Sequence, residues 1–104
     1  MDRDALLARI LDQTRAIQTL ALAGDWILAQ QQDDTRRRMI QDCFAASNEF
    51  ANPEQAATTI QEILNLDRHT LELGLTARDG LRAEFGKLRQ GRVARTAYGR
   101  VSQD

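Results

Sequence analysis

The stretch from Pro53 to about Gln90 constrains the fold more than any other part of the chain. Ala57, Ile60, Leu64, Asp67, Leu71, Gly74, Arg78, Leu81, Phe85 and Leu88 recur at alternating steps of three and four. That spacing is the a/d seam of a helix that packs on other helices. It predicts one helix of about 38 residues, ~57 Å long at 1.5 Å per residue. The segments that precede it are too short to cover it along its whole length.

Those segments read as two further helices. The first, over about residues 3–23, is capped by Asp2 or Asp4. Leu6, Leu7, Ile10, Leu11, Thr14, Ile17 and Ala21 fall on one face of it, with Leu20 at the edge. Gly24 supplies a left-handed stop, and Asp25 at once caps a second helix over about residues 26–46. So tight a turn makes the two helices antiparallel. Asn52-Pro53-Glu54-Gln55 then marks the start of the third helix: Asn as N-cap, Pro at the first helical position, Gln placed for a capping box. Phe50, in the loop before it, is placed to fold back on the bundle end. The expectation is an all-α, antiparallel three-helix bundle forming a single domain over residues 1–104.

The second helix has an unusual inward face. Trp26, Ile40 and Phe44 are its apolar anchors, and Gln30, Asp33 and Arg37 lie between them. Counting along antiparallel helices puts Asp33 to Arg37 level with Leu64 to Asp67, and Thr14 at nearly the same height. This predicts a polar layer of Asp33, Arg37 and Asp67, with Arg37 paired to Asp67. Such layers contribute more to register than to net stability, because burying an ion costs several kcal/mol. The alternative is that Arg37 and Asp67 both reach solvent.

Beyond about Thr76 the first two helices have run out, while the third still presents Leu81, Phe85 and Leu88. Gly74, Gly80 and Gly86 weaken this part by roughly 1 kcal/mol each relative to alanine. An apolar, weakened and uncovered helix is a candidate partner site, with Leu71, Leu75, Arg78, Leu81, Phe85 and Leu88 as the binding residues. Three covers are open: a client protein, a second copy of the chain making a homodimer, and the chain's own C-terminal segment, residues 91–104. For the last, Gly91 breaks the helix and Arg92 to Tyr98 returns as a short fourth helix.

Catalytic chemistry has few parts to work with. His69 is the one histidine and Cys43 the one cysteine, so the sequence holds neither a metal cluster nor a disulfide. Gly80, Gly86 and Gly91 have no phosphate-loop or dinucleotide spacing. No catalytic, metal or cofactor residues are assigned. A net charge of −1 argues against a bulk nucleic-acid binder, although Lys87, Arg89, Arg92, Arg95 and Arg100 occur with no acidic residue between Phe85 and Arg100. No apolar run is long enough to span a membrane and the N-terminus carries no apolar leader. The expected location is the cytoplasm.

Three stretches carry a family resemblance. They are Gly24-Asp25-Trp26 followed by Arg36, Arg37, Ile40 and Phe44; Ile60-Gln61-Glu62-Ile63-Leu64-Asn65-Leu66-Asp67 leading into the long helix; and Val93-Ala94-Arg95-Thr96-Ala97-Tyr98-Gly99 near the end. In their order and spacing they resemble the flagellar export chaperones of the FliT type. The resemblance implies a small helical bundle in the bacterial cytoplasm that binds the filament-cap protein (FliD type) before type III export. It also implies contact with the export ATPase complex. The C-terminal segment would fold over the client-binding face, with Val93, Ala97 and Tyr98 as a regulatory tail and Tyr98 as its anchor.

Overall fold

A computed structural model describes residues 2–45 and 49–102, with side chains as far as Gly91. The side chains of Val93, Ala97 and Tyr98 lie outside the described residues. The chain forms α1 (Arg3–Leu22), α2 (Trp26–Ala45) and α3 (Pro53–Ser102), and no strand occurs among the described residues. The fold is all-α. Met1–Leu73 makes one compact unit and Gly74–Asp104 a second.

The helix ends follow from local chemistry. The Asp2 carboxylate accepts from the Ala5 backbone N–H at 2.6 Å, capping α1. Gly24 has φ +76°, a conformation that costs an L-residue roughly 1–2 kcal/mol. It closes α1 with two bonds, Gly24 N–H to Ala21 C=O at 3.0 Å and Asp25 N–H to Leu20 C=O at 2.9 Å, the double closure of a Schellman end. Asp25 then accepts from the Leu28 N–H at 3.3 Å and starts α2. At α3, the Asn52 side chain accepts from the Gln55 N–H at 3.1 Å.

One link ties the start of α1 to the start of α3. Asp4 lies in the first turn of α1, and its two carboxylate oxygens accept from the backbone N–H groups of Ala51 and Asn52 at 2.8 and 3.0 Å. The carboxylate therefore takes the Asn52 N–H, which a full capping box would give to Gln55. Nearby, the Arg3 guanidinium stacks 4.0 Å from the Phe50 ring and donates to the Cys43 carbonyl at 2.8 Å. Phe50 does fold back, and packs against the core.

Within the first unit, α1 runs antiparallel to α2 and parallel to the start of α3. The cross-links record the direction: Asp4 to Asn52, Arg15 to Glu62 and Gln18 to His69 rise together along α1 and α3. The core joins Leu7 and Ile10 of α1, Cys43 of α2, and Ala56 and Ile63 of α3. Leu6, Leu11, Met39, Ile40 and Ile60 pack on it, half-buried. The stripe predicted for α1 is the one found, with Leu7, Ile10, Thr14, Ile17 and Ala21 buried.

The faces of α2 and α3 are turned from those expected. On α2 the buried residues are Ala29 and Cys43, while Phe44 and Trp26 are exposed. On α3, Ile63 is 7% exposed and its neighbour Leu64 is 52% exposed. The inward positions of the first unit are Ala56, Ile60, Ile63, Asp67 and Thr70, all buried or half-buried. Ile60 and Asp67 were placed correctly by the seam, whereas Ala57, Leu64 and Leu71 each lie one residue off it. Ile63 and Leu64 are equal in volume, and a step of three or of four from Ile60 reaches either, so spacing alone did not fix which face of α3 turns inward.

The end of α3 also differs. The helix does not stop near Gln90 but continues through Gly91 to Ser102, and Arg92 to Tyr98 is part of it rather than a separate short helix. A glycine inside a helix costs only about 1 kcal/mol. It terminates one when it adopts positive φ, and among the described glycines only Gly24 does so.

Candidate partner-binding surface

The first unit holds a polar layer at mid-height. Arg36, not Arg37, is its centre. Its guanidinium donates to Asp67 at 2.5 Å, to Asp33 at 2.7 and 3.1 Å, and to the Thr14 hydroxyl at 3.1 Å. Thr14, 1% exposed, donates its own hydroxyl hydrogen bond to the Ile10 carbonyl at 2.7 Å. Burial pushes the Arg36 pKa down, but hydrogen bonds and charge from Asp67 and Asp33 outweigh it and hold the group above its ordinary value. Arg37 points outward and reaches only Asp33, one turn back on its own helix, at 3.0 Å. Next to the layer the Gln13 side-chain amide donates to the Gln32 side chain. The arrangement fixes the heights of three helices against one another.

The signal for Arg36 was present in the sequence. Once Ala29 and Cys43 are taken as inward, steps of four, three, three, four give Ala29, Asp33, Arg36, Met39 and Cys43, and Arg36 falls on the line. Asp4 gave no comparable signal, because a first-turn aspartate reads equally well as a cap.

The second unit is different in kind. Leu81, Phe85 and Leu88 are 60%, 65% and 66% exposed, and Leu75 is exposed as well. Steps of four and three place Leu81, Phe85 and Leu88 side by side on one helix face. Arg78 approaches Asp79 at 3.7 Å, and Lys87 approaches Glu84 at 4.0 Å. These are loose surface pairs, each worth less than about 1 kcal/mol. Burying a side chain of this size is worth roughly 1.5–3 kcal/mol, so the row holds a substantial unused driving force for association. Gly80, Gly86 and Gly91 have nothing within 4 Å of an added Cβ. No close packing calls for them.

In the first unit, Leu71 is exposed. A second group missed by the seam lies around the α1–α2 turn, where Leu22, Trp26, Ile27 and Leu28 are exposed. It could have been found from the α1 stripe, which leaves Leu22 off the buried face. His69 is exposed and its Nδ1 lies 2.6 Å from the Gln18 amide nitrogen. Cys43 is buried among apolar neighbours. No helix among the described residues is long and apolar enough to cross a membrane.

No curated protein and no solved structure matches the chain. The family model described as "Flagellar protein FliT" matches residues 4–100, which takes in all three helices nearly to the end of α3. The chain belongs to the FliT family of flagellar proteins.

Proposed function

We propose that this chain is a cytoplasmic, non-enzymatic chaperone of flagellar type III export. It binds the filament-cap protein, keeps it export-competent, and makes a further contact with the export ATPase complex. Membership of the FliT family supports the chaperone role. The observation that carries the binding mode is the exposed row Leu81, Phe85 and Leu88. It suits the docking of an amphipathic helix, in which a few apolar anchors at helical spacing supply most of the affinity. Leu75 and Arg78 extend the same unit, and Leu71 adds an exposed apolar side chain in the first.

The test is calorimetry with the purified filament-cap protein. Leu81→Asp and Phe85→Asp remove exposed side chains and leave the far-UV helical signal unchanged. Each should weaken binding at least about tenfold, the loss of one buried anchor. Undiminished affinity in both variants rules the reading out.

A second reading, a self-associating bundle without a client, is favoured by the exposed Leu22, Ile27 and Leu28. Sedimentation separates the two. A tight dimer that persists when the cap protein is added supports self-association.

A further inference from the structure

The two units carry opposite charge. Gly74–Asp104 has seven Lys and Arg residues against three Asp and Glu, and Met1–Leu73 has seven against twelve. In the second unit the excess is arranged about the apolar row. At 100° per residue, Leu88, Leu81 and Phe85 span roughly 60° of the helix circumference. Arg78, Arg89 and Arg82 occupy roughly the next 60° beyond Phe85. On the opposite border stands Glu84. Arg82 and Arg89 have no acidic partner among the described residues, and Arg78 has only its neighbour Asp79 at 3.7 Å. Over residues 78–89 the row therefore has an arginine edge and a non-basic edge.

We propose that this face recognises an amphipathic helix whose apolar row is bordered on one side by Asp and Glu. The inference rests on the reading of the second unit as a client-holding face, and adds to it the chemistry of the segment held. Residues flanking a helix seam decide which helix pairs with it and in which orientation, because opposite charges across the seam attract and like charges repel. Arginine suits this task, since its guanidinium forks onto carboxylates in pairs of bonds.

Two other occupants fit less well. A helix that lies on an anionic membrane has a broad apolar face with cations on its polar side. Here the apolar face is narrow, Arg78, Arg82 and Arg89 follow one edge, and Glu84, with Lys87 beside it, sits on the other. The same segment of a second copy brings its own arginine row and net positive charge to the seam.

The test uses the full chain and two synthetic amphipathic helical peptides with the same leucine row, one edged with Glu and the other with Lys. Calorimetry at low salt should show the Glu-edged peptide binding at least about tenfold tighter. Added salt should narrow the difference. The triple variant Arg78→Glu, Arg82→Glu, Arg89→Glu should reverse the preference, with its far-UV spectrum unchanged. Equal affinity for the two peptides overturns the inference, and so does failure of both to bind. Tighter association with phosphatidylglycerol vesicles than with the Glu-edged peptide also overturns it, and assigns the face to a lipid surface. If the filament-cap protein loses affinity with Phe85→Asp but not with the triple variant, the chaperone reading stands and the charge-reading inference falls.

Discussion

Arg36 reaches across the bundle to Asp67 at 2.5 Å, while Arg37, its neighbour, turns outward and meets only Asp33. The two arginines have the same chemistry and differ by 100° of helix rotation. Their side chains are 12% and 70% exposed. Arg36→Ala leaves the Asp33 carboxylate and the Thr14 hydroxyl short of a donor in a half-buried layer. It should cost roughly 1–3 kcal/mol, below the value for a fully buried pair because Asp67 stays partly in water. Arg37→Ala should fall within about 0.5 kcal/mol of the parent. Urea unfolding of the two variants decides, and equal losses would show that the layer is not built as described. Since a raised basic group stabilises the fold at every pH below its unfolded value, and the pairing needs ionised Asp67 and Asp33, the Arg36 contribution should stay constant from neutral to moderately alkaline solution.

Ile63 and Leu64 make a second adjacent contrast. Ile63→Ala opens a cavity in the core and should destabilise by roughly 2–4 kcal/mol. Leu64→Ala removes a side chain that already faces water and should cost less than about 1 kcal/mol. Thermal denaturation of both variants reads the difference.

Thr70 has a buried hydroxyl with no hydrogen-bond partner among the described residues. Replacing it with the isosteric Thr70→Val removes an unsatisfied polar atom and keeps the volume. The change should stabilise the protein by about 1 kcal/mol. A lower urea midpoint would mean that the hydroxyl is satisfied in solution.

Alanine substitutions at two glycines should move in opposite directions. Gly24→Ala forces an L-residue to φ +76° and should cost roughly 1 kcal/mol or more, although nothing lies within 4 Å of the new methyl group. Gly86→Ala stands in equally open space but inside α3, and should increase helix stability by about 1 kcal/mol. Circular dichroism during heating, combined with hydrogen exchange across residues 80–91, measures both.

These contrasts show what the sequence made legible. Helix starts were clear because their signals are chemical and local: Asp2, Asp25 and Asn52 cap, and Gly24 turns. The buried stripe of α1 was clear because its large apolar residues, Leu6, Leu7, Ile10, Leu11 and Ile17, all fall on one face of the helix. On α3, Ile63 and Leu64 stand together at equal volume, and a helical step from Ile60 reaches either, so the seam fell on the leucine. On α2 a preference for size chose Trp26 and Phe44 over Ala29 and Cys43. Small residues carry little hydrophobic signal, yet they are what lets three helices approach. The displacement then carried through to the polar layer, moving its arginine from 36 to 37. The exposed row Leu81, Phe85 and Leu88 was legible for the opposite reason, since no other part of the sequence was long enough to cover it.

The Asp4 carboxylate, bonded to the backbone of Ala51 and Asn52, has a consequence for how the molecule comes into being. Asp4 is synthesised 47 residues ahead of Ala51. The latch that joins the two ends of the core therefore stays open through the making of α1, the turn at Gly24 and α2, all of which can pair locally as they appear. It closes when the first turn of α3 arrives. Closing that loop is the long-range step in an otherwise local assembly, and it should set the pace of folding. An Asp4→Asn chain would be expected to fold more slowly, through loss of a bond that links the first turn of the protein to the helix that carries its exposed face.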